Sequence, residues 1–389
     1  MANGLGYCPA LLRTIEQVAG DNAPSRKLHN AGFMAMLNCC ANSSVNPIND
    51  GSDDVGHTRA LTVSYRQRPT VDQVQTEEDC DINRIPVKAE WSLPGYTHLQ
   101  HSQYLSDEEV SKFCEEASRE RSIGTPPTRI MEEHYGLFLE SANVVMKAAN
   151  RELVTDAATQ FGINVTIGSA NGKVINIERQ GNQLILDNGI VDMMRDFQEN
   201  EICGEPCLVG GGLFTAYEMQ RASMCCNSAG VDLSRTGIPR FFFDKDTQSI
   251  WGENTVGAFA PGSVKLLERL KYKRSFAGGP KGASFFFTAP LPIGEFGCAD
   301  PCQMTEFDVQ LKYIDCPTTV TVNGSETTVS RGWQLIVSKN VALWVQPRNG
   351  YANGDELDST NGTLKYFITN NCTDCADPNS GAYGYGYGV

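Results

Sequence analysis

The stretch that decides the fold is RIMEEHYGLFLESANVVMKAANRELVTDAATQ, from Arg129 to Gln160. Its apolar residues recur at steps of four and three, the spacing that places them on one face of an α-helix. That stripe consists of Phe138, Ala142, Val145, Ala149, Leu153 and Ala157. About 30 residues at about 1.5 Å each give a rod of roughly 45 Å, much longer than an average globular helix. The sequence therefore predicts a long spine helix that ends near Gly162.

The segment before the spine predicts an arm, a hairpin and a short helix. Residues 1–57 lack sustained periodicity and are interpreted as an extended arm with little core. Residues 61–65 and 87–93 suit strands, and the polar segment between them predicts a long hairpin that buries too little apolar surface to be stable alone. Ser106 predicts the N-cap of a helix, with Glu109 in the capping-box position.

The chain after the spine predicts mixed helices and strands. Residues 164–177 predict two strands joined at Asn171-Gly172, and residues 188–200 predict a helix. Beyond these, strands are predicted at 206–209, 240–243, 284–288, 307–314, 334–337 and 342–345, with a hairpin over 320–329 around Asn323-Gly324. The tail beyond Pro347 is rich in Gly, Asn, Asp and Tyr, and we expect it to be irregular. The fold class is α+β.

Composition limits the function classes. With 389 residues, of which 41% are hydrophobic and 20% charged, the chain predicts two or three ordinary globular domains. It has no run of about 18 apolar residues and no basic-then-apolar leader, so we expect a protein of cytosolic origin. The net charge of -14 disfavours DNA reading, because a DNA-binding surface neutralises phosphates with positive charge. Such acidity suits the wall of a container whose polyanionic cargo must not adhere.

The 14 cysteines are too scattered for a disulfide scaffold and numerous for a cytosolic protein. Only Cys372 and Cys375 have the two-residue gap common in zinc knuckles. We interpret the cysteines as buried free thiols. Some disulfide pairing and a zinc site are the alternatives.

Motifs for catalysis are missing. Residues 168–173 resemble a phosphate loop, but their glycines are one residue too close, and a hairpin turn explains them better. Gly210-Gly211-Gly212 lacks the dinucleotide-binding spacing, and close packing of a strand on a helix is the simpler account. His98 and His101 are interpreted as solvated loop residues rather than a metal pair. We therefore assign no catalytic, cofactor-binding or metal-binding residue.

Two further clusters have structural explanations. The runs Phe241 to Phe243 and Phe285 to Phe287 lack the interleaved basic residues of a nucleic-acid groove, so we expect buried strands. The basic stretch Lys265 to Arg274 is typical of a solvated helix face, and acidic patches on a neighbouring subunit are a second possible contact for it.

The order of elements resembles the major capsid proteins of tailed bacteriophages, the Hong Kong 97-like fold. Three stretches resemble the sequences of these capsid proteins: ELVTD at 152–156, LDNGIVDMM at 186–194 and EPCLVGGGLF at 205–214. The resemblance covers residues 58–346. It implies an N-terminal arm at 1–57, an extended E-loop hairpin at 58–104, a P-domain at 105–180 and 303–346 with the spine and long strands, and an A-domain with the C-terminal tail at 181–302 and 347–389.

The resemblance also implies a function. A protein of this type self-assembles into hexamers and pentamers of an icosahedral head, in the host cytoplasm, and encloses double-stranded DNA without specific binding or a membrane. Portal, scaffolding or decoration proteins are the expected partners, and no scaffolding segment is recognised ahead of the arm. A compartment shell of the encapsulin type, a phage tail component and an enzyme with an unfamiliar site are the alternatives.

Overall fold

The computed structural model describes part of the chain. The described residues are 31–39, 61–66, 88–93, 95–112, 115, 128–164, 173–180, 183–186, 193, 197, 206–211, 240–252, 255–270, 284–293, 304–314, 318–322, 325–329, 331–345 and 362–369. In chain order the elements are α1 (Gly32–Cys39), β1 (Leu61–Arg66), β2 (Lys88–Leu93), β3 (Thr97–Ser106), α2 (Thr128–Asn164), β4 (Lys173–Gln180), β5 (Gln183–Leu186), β6 (Cys207–Gly210), β7 (Arg240–Phe243), α3 (Lys245–Trp251), β8 (Thr255–Phe259), β9 (Val264–Arg269), β10 (Ser284–Pro292), β11 (Met304–Ile314), β12 (Thr318–Val322), β13 (Ser325–Val329), β14 (Gly332–Val345) and β15 (Thr363–Thr369).

The spine is confirmed as α2, a helix of 37 residues. Every residue of the predicted apolar stripe, from Phe138 to Ala157, is at most 2% exposed. The helix packs mainly on β14 and β3. Burial of this one stripe, rather than intrinsic helix propensity, accounts for so long a helix, since helices in proteins gain most of their stability from packing an apolar face.

A five-stranded antiparallel sheet lies against the spine, in the order β10-β11-β14-β3 with β9 also paired to β14. Val341 of β14 pairs with both Thr97 of β3 and Glu268 of β9, so these two strands lie on opposite edges of β14. Consequently β11 and β9 follow one another along the same edge of β14. Alternate residues of β11 and β14 face the core: Phe307, Val309, Leu311, Trp333, Leu335 and Val337 are all buried.

A six-stranded mixed sheet has the order β5-β4-β15-β8-β6-β7. The pairs β15–β4 and β6–β7 are parallel, and the others are antiparallel. All five residues of β8 are buried. Gly211 follows β6 so closely beside α3 that a Cβ there would lie 2.7 Å from Cβ of Gln248, which confirms the expected close packing of strand on helix.

Several predicted elements are confirmed with shifted bounds. The capping box at Ser106 is present, because the Ser106 amide donates to Oε2 of Glu109 (2.8 Å) and the Glu109 amide donates to Oγ of Ser106 (3.2 Å). Residues 107–112 are helical, and Met193 and Phe197 of the next predicted helix are helical and buried. Both phenylalanine runs lie in strands, β7 and β10.

Other predictions are wrong. The strands expected at 334–337 and 342–345 are one strand, β14, of 14 residues. The tail expected to be irregular contains β15, in the middle of the six-stranded sheet. Of the two strands expected over 164–177, the first begins wrongly at Asn164, which is the last residue of α2, and the second is present in β4. The expected turn at Asn171-Gly172 lies outside the described residues. The sequence also predicts a helix over residues 213–222, and these residues lie outside the described ones.

Within the segment expected to be an arm with little core, α1 is a buried helix. Its residues from Gly32 to Leu37 are buried, and Phe33 packs edge-on against Trp251 and Phe259 with ring centroids 5.6 and 5.7 Å apart. The interpretation as an extended arm is therefore wrong for residues 32–39. A helix of eight residues is too short to show periodicity, which explains the error.

Candidate assembly surfaces

The first candidate surface is the hairpin of β1 and β2. The strands pair in register from Leu61 opposite Leu93 to Arg66 opposite Lys88, which confirms the predicted hairpin. They form a separate two-stranded sheet, and among the described residues no further strand pairs with either edge. Two strands alone are marginally stable in water, and unpaired edges readily accept another chain. Residues 67–87, which connect the strands, lie outside the described residues.

A second two-stranded sheet consists of β12 and β13. Val322 pairs with Ser325, so the connection is two residues long, as the predicted Asn323-Gly324 turn requires. Thr319 and residues 325–328 are exposed. In the described part of the chain this hairpin, too, has no third strand. It presents a polar surface of hydroxyl groups and one carboxylate, Glu326.

The outward face of the spine is a third surface. Val144, at 52%, is the only exposed large apolar side chain among the described residues. One turn on either side of it lie the exposed charges Glu140 and Lys147, and Arg151 follows on the same stripe. An apolar residue between charges suits the rim of an interface better than its desolvated centre.

Inside the core, a buried carboxylate joins two helices. Asp244 is 0% exposed and is the N-cap of α3, where Oδ1 accepts from the amides of Asp246 (2.7 Å) and Thr247 (3.4 Å). Its other oxygen, Oδ2, accepts from the Phe33 amide in the first turn of α1 (2.7 Å). One carboxylate therefore satisfies N-terminal amides of two helices.

Asn150 of the spine completes this junction. Its Nδ2 donates to Oδ2 of Asp244 and to Oδ2 of Asp246, both at 2.9 Å, and its Oδ1 accepts from the Met34 amide at 3.2 Å. Burial raises the pKa of Asp244, while the hydrogen bonds from Phe33, Asn150 and Asp246 act in the opposite direction. Three segments far apart in sequence thus meet at one polar point inside the core. Sequence reasoning missed it, although an Asp directly before a short helix is an N-cap signal.

A second buried polar junction lies where β14 changes neighbours from β11 to β9. Lys339 is 1% exposed, and its Nζ donates to Oγ1 of Thr305 (2.6 Å), to the Glu306 carbonyl (2.9 Å) and to Oε1 of Glu268 (2.6 Å). The ammonium also lies 5.1 Å from the ring centroid of Phe307. All three donors of the ammonium are accounted for, which is what permits a charge at this depth.

The two histidines considered as a metal pair are both in strand β3. His98 and His101 lie on β3 rather than in a loop, and a separation of three residues on a strand puts them on opposite faces. Nδ1 of His98 is 2.7 Å from Oδ1 of Asn340, and Nδ1 of His101 is 3.1 Å from Oγ of Ser141 on the spine. Within the described ranges, no group of three or more His, Cys, Asp or Glu residues could hold a metal ion.

The basic stretch begins on a strand, not on a helix. Lys265 and Arg269 belong to β9 and are half-buried, and burial lowers the pKa of Lys265. The expected helix face is wrong for this part, because β9 completes the edge of β14. The remaining basic residues, Lys271 to Arg274, lie outside the described residues, as do the phosphate-loop-like segment before Lys173, the Cys372–Cys375 pair and the terminal tyrosines.

Two cysteines are in a state that the sequence interpretation did not favour. Cys39, the last residue of α1, and Cys207, the first residue of β6, are both disulfide-bonded. The interpretation as free thiols is therefore wrong for these two, and disulfide pairing, one of the alternatives, applies to them. None of the helices in the described part of the chain is both long and apolar enough to cross a membrane.

Comparisons with known proteins give structural neighbours only. No protein-family model matches the chain, and no curated protein matches it. Among solved structures it is similar to a chain titled "Mycobacterium phage Adephagia" (12% identity, 89% of this chain and 92% of that one, TM-score 0.44). It is also similar to "Cyanophage A-1(L) capsid asymmetric unit" (12%, 90% and 94%, 0.44) and to "Asymmetric unit of bacteriophage PhiM1 mature capsid" (10%, 82% and 84%, 0.37).

Proposed function

We propose that the chain is the major capsid protein of a tailed bacteriophage, a structural subunit that assembles with copies of itself into the closed shell of the virion. The observation that carries the proposal is the β1–β2 hairpin, whose edges pair with no other described strand. A hairpin of this size needs a surface to lie on, and a second copy supplies the same surface at every position of a lattice.

The framework supports the same function. A spine of 37 residues and a strand of 14 residues run through one buried core, and both are held by buried polar junctions at Asn150 and Lys339. Such a body is stiff, because its polar groups are paired inside the core. A stiff body that carries hairpins with unpaired edges suits a subunit that reaches over its neighbours.

The finer features of the resemblance belong to this proposal. In it, β1 and β2 belong to the E-loop at 58–104, and the spine, β11 and β14 belong to the P-domain at 105–180 and 303–346. The strands β5 to β10 and β15 belong to the A-domain and C-terminal tail at 181–302 and 347–389. Hexamers and pentamers are the assembly units. Portal, scaffolding or decoration proteins would join them, and the subunit would have no catalytic site, cofactor or metal.

Charge suits the proposed container. A net charge of -14 on each subunit repels DNA, so packaged DNA would be confined without adhering to the wall. The half-buried cations at Lys265 and Arg269 would be used between or within subunits rather than toward DNA. Electrostatic complementarity of this kind sets specificity more than affinity.

The test is electron microscopy and analytical ultracentrifugation of the purified full-length chain. We expect uniform closed shells or discrete hexamers and pentamers. Tubes would point to a tail component, and a stable monomer at high protein concentration would contradict the proposal. Neighbouring genes for a portal and a large terminase would separate a capsid from a compartment shell.

A further inference from the structure

The strand β3 forms one edge of the five-stranded sheet, in which the order is β10-β11-β14-β3. It is ten residues long and pairs with β14 over its whole length, from Thr97 opposite Val341 to Ser106 opposite Gly332. None of the other described strands pairs with its outer edge. A strand that is paired on one side only presents a row of amide and carbonyl groups to which another strand can bind.

The other edge of the same sheet is protected against such pairing, and the β3 edge is not. The edge strand β10 contains Pro290 and Pro292, and a proline removes the amide that an added strand would need. β3 has the sequence THLQHSQYLS, without proline, glycine, lysine, arginine, aspartate or glutamate. Proteins usually blunt a long edge with prolines, charges or bulges. A ten-residue edge without proline or charge therefore indicates a strand that is used for pairing.

The edge is also held in position before any partner arrives. Beneath the sheet, Nδ1 of His101 lies 3.1 Å from Oγ of Ser141 on the spine. At the start of β3, Oγ1 of Thr97 donates to Oε1 of Glu152, also on the spine, at 3.2 Å. A strand that is already fixed in its bound conformation loses little conformational entropy on binding, so more of the interaction free energy remains as affinity.

Charge indicates which partner fits this edge. The net charge of -14 makes most surfaces of two copies repel one another. Two β3 strands bring no lysine, arginine or carboxylate together, so they avoid the repulsion that directly opposed like charges cause across a strand pair. The strands of the two hairpins do carry charges, at Arg66, Lys88, Glu90 and Glu326. The same uncharged edge on a second copy is therefore the partner that the sequence of β3 suits.

We infer that β3 pairs with β3 of a second copy, antiparallel and across a two-fold axis at His101. This arrangement places Gln100 of one copy opposite Ser102 of the other, and it joins two five-stranded sheets into one continuous sheet with both spines on the same face. The inference deepens the proposed function and rests on it for its role, since in a shell the β3 pair would be a two-fold contact between copies.

The test places complementary charges at the centre of the contact. Gln100→Lys with Ser102→Lys puts lysines opposite one another across the axis, and Gln100→Glu with Ser102→Glu does the same with carboxylates. Both positions are exposed, so both variants should keep the circular dichroism of the folded chain. In sedimentation velocity of the full-length chain, each variant alone should self-associate roughly tenfold or more weakly than the unaltered chain. An equal mixture of the two should recover association, because lysines then face carboxylates.

Net charge cannot produce this pattern, because the lysine variant is less negative than the unaltered chain and should associate more strongly if net charge decided the outcome. The matched control is Ser325→Lys with Thr327→Lys, which adds the same charge at the same spacing on the exposed strand β13 and should not weaken association. An equal loss in the control would overturn the inference. A mixture that associates as weakly as the separate variants would also overturn it, and would mean that a different strand, such as one of a hairpin, occupies the β3 edge.

The variants separate this inference from the proposed function. If the mixture recovers association but the unaltered chain forms no shells in electron microscopy, the proposed function fails and the β3 contact stands. If the lysine variant forms shells as readily as the unaltered chain, the β3 contact fails and the proposed function stands. An unaltered chain that stays monomeric at high concentration would contradict both.

Discussion

At the start of α1, the absence of a side chain at Gly32 sets how closely the helix approaches β7. A Cβ at this position would lie 2.0 Å from the carbonyl oxygen of Phe243, a backbone atom that cannot move without shifting the strand. The same close approach brings the Phe33 amide within 2.7 Å of Asp244. The glycine and the two-helix cap therefore depend on each other.

Gly32→Ala should lower the free energy of unfolding by about 2–3 kcal/mol, because the added methyl overpacks the junction. Urea denaturation followed by tryptophan fluorescence measures this. Gly262→Ala is the control: its Cβ would meet no atom within 4 Å, and only its left-handed backbone (φ 80°) would be strained, at about 1 kcal/mol. Equal losses in the two variants would mean that α1 does not press on β7.

Asp156 on the spine carries a pH dependence whose sign is fixed by its surroundings. Burial and, second, the nearby Glu152 carboxylate raise its pKa from 3.8 to about 6. The folded state therefore holds this proton at a higher pH than the unfolded state does. The stability that comes from the protonated group is fully present below about pH 4 and is lost as the pH rises through about 6.

Asp156→Asn should consequently be more stable than the unaltered chain at pH 7, and the difference should shrink toward pH 4. Urea denaturation at pH 4, 5, 6 and 7 measures the difference. The control is Glu108→Gln, since the hydrogen bond and charge of Lys112 lower the pKa of Glu108 and substitution there should not stabilise the protein at pH 7. If the difference in the free energy of unfolding between Asp156→Asn and the unaltered chain did not change with pH, the pKa of the Asp156 carboxyl would not be raised.

At the scale of elements, the spine has one buried face and one exposed face that can be compared by substitution. Ala149 is 0% exposed in the middle of the apolar stripe, and Val144 on the opposite face is 52% exposed. Ala149→Asp should abolish folding, because an unpaired charge in the core costs several kcal/mol. Val144→Asp has the same added charge in the same helix and should fold normally. Circular dichroism and solubility distinguish the outcomes, and a soluble, folded Ala149→Asp variant would contradict the burial of this face.

The elements that sequence reasoning found are those whose pattern is local. The spine repeats its apolar spacing over many turns, and the capping box at Ser106 is complete within four residues. The sequence predicts two strands in place of β14, because Ser338, Lys339 and Asn340 interrupt its apolar pattern. The burial of Lys339 depends on Glu268 and Thr305, which are far away in sequence.

The same distinction explains the junction at α1. The Phe33 amide in its first turn donates to Asp244, which is 211 residues along the chain, and no local signal can indicate such a partner. Asn150 in the spine is a polar residue among apolar ones, which was a detectable anomaly. Its meaning follows only once α1 and α3 are placed around it.

The segment that connects β1 and β2 should be dispensable for folding and necessary for assembly. Replacing residues 67–87 by Asn-Gly keeps both strands and joins the paired residues Arg66 and Lys88 through a two-residue turn. The subunit should keep its thermal unfolding midpoint, because these residues lie between the strands of a sheet that pairs with no other described strand. Shells should no longer form in electron microscopy. A Gly-Ser segment of the original length is the control for chain length, and an unfolded deletion variant would show that the segment belongs to the core.

At the scale of the whole molecule, the net negative charge and the strand edges of the hairpins both affect how subunits associate. Each copy adds -14 to a lattice, and subunits of like sign associate only if local contacts overcome the repulsion. Hairpin edges supply hydrogen bonds that salt does not screen, whereas contacts between basic and acidic patches weaken as salt rises. Salt dependence therefore separates these two kinds of contact.

The isolated subunit should not bind duplex DNA at about 0.15 M salt. Its net negative charge repels the DNA phosphates, and its clustered cations are too few to overcome that repulsion. Fluorescence anisotropy with a labelled duplex measures this. Raising the salt to about 1 M, where charges are screened beyond about 3 Å, should weaken association between subunits if the stretch Lys265 to Arg274 meets acidic neighbours. Lys273→Glu should weaken it at low salt, whereas Lys112→Gln, in an exposed pair with Glu108, should not. Tight, salt-sensitive DNA binding by the subunit would contradict both the charge argument and the container built on it.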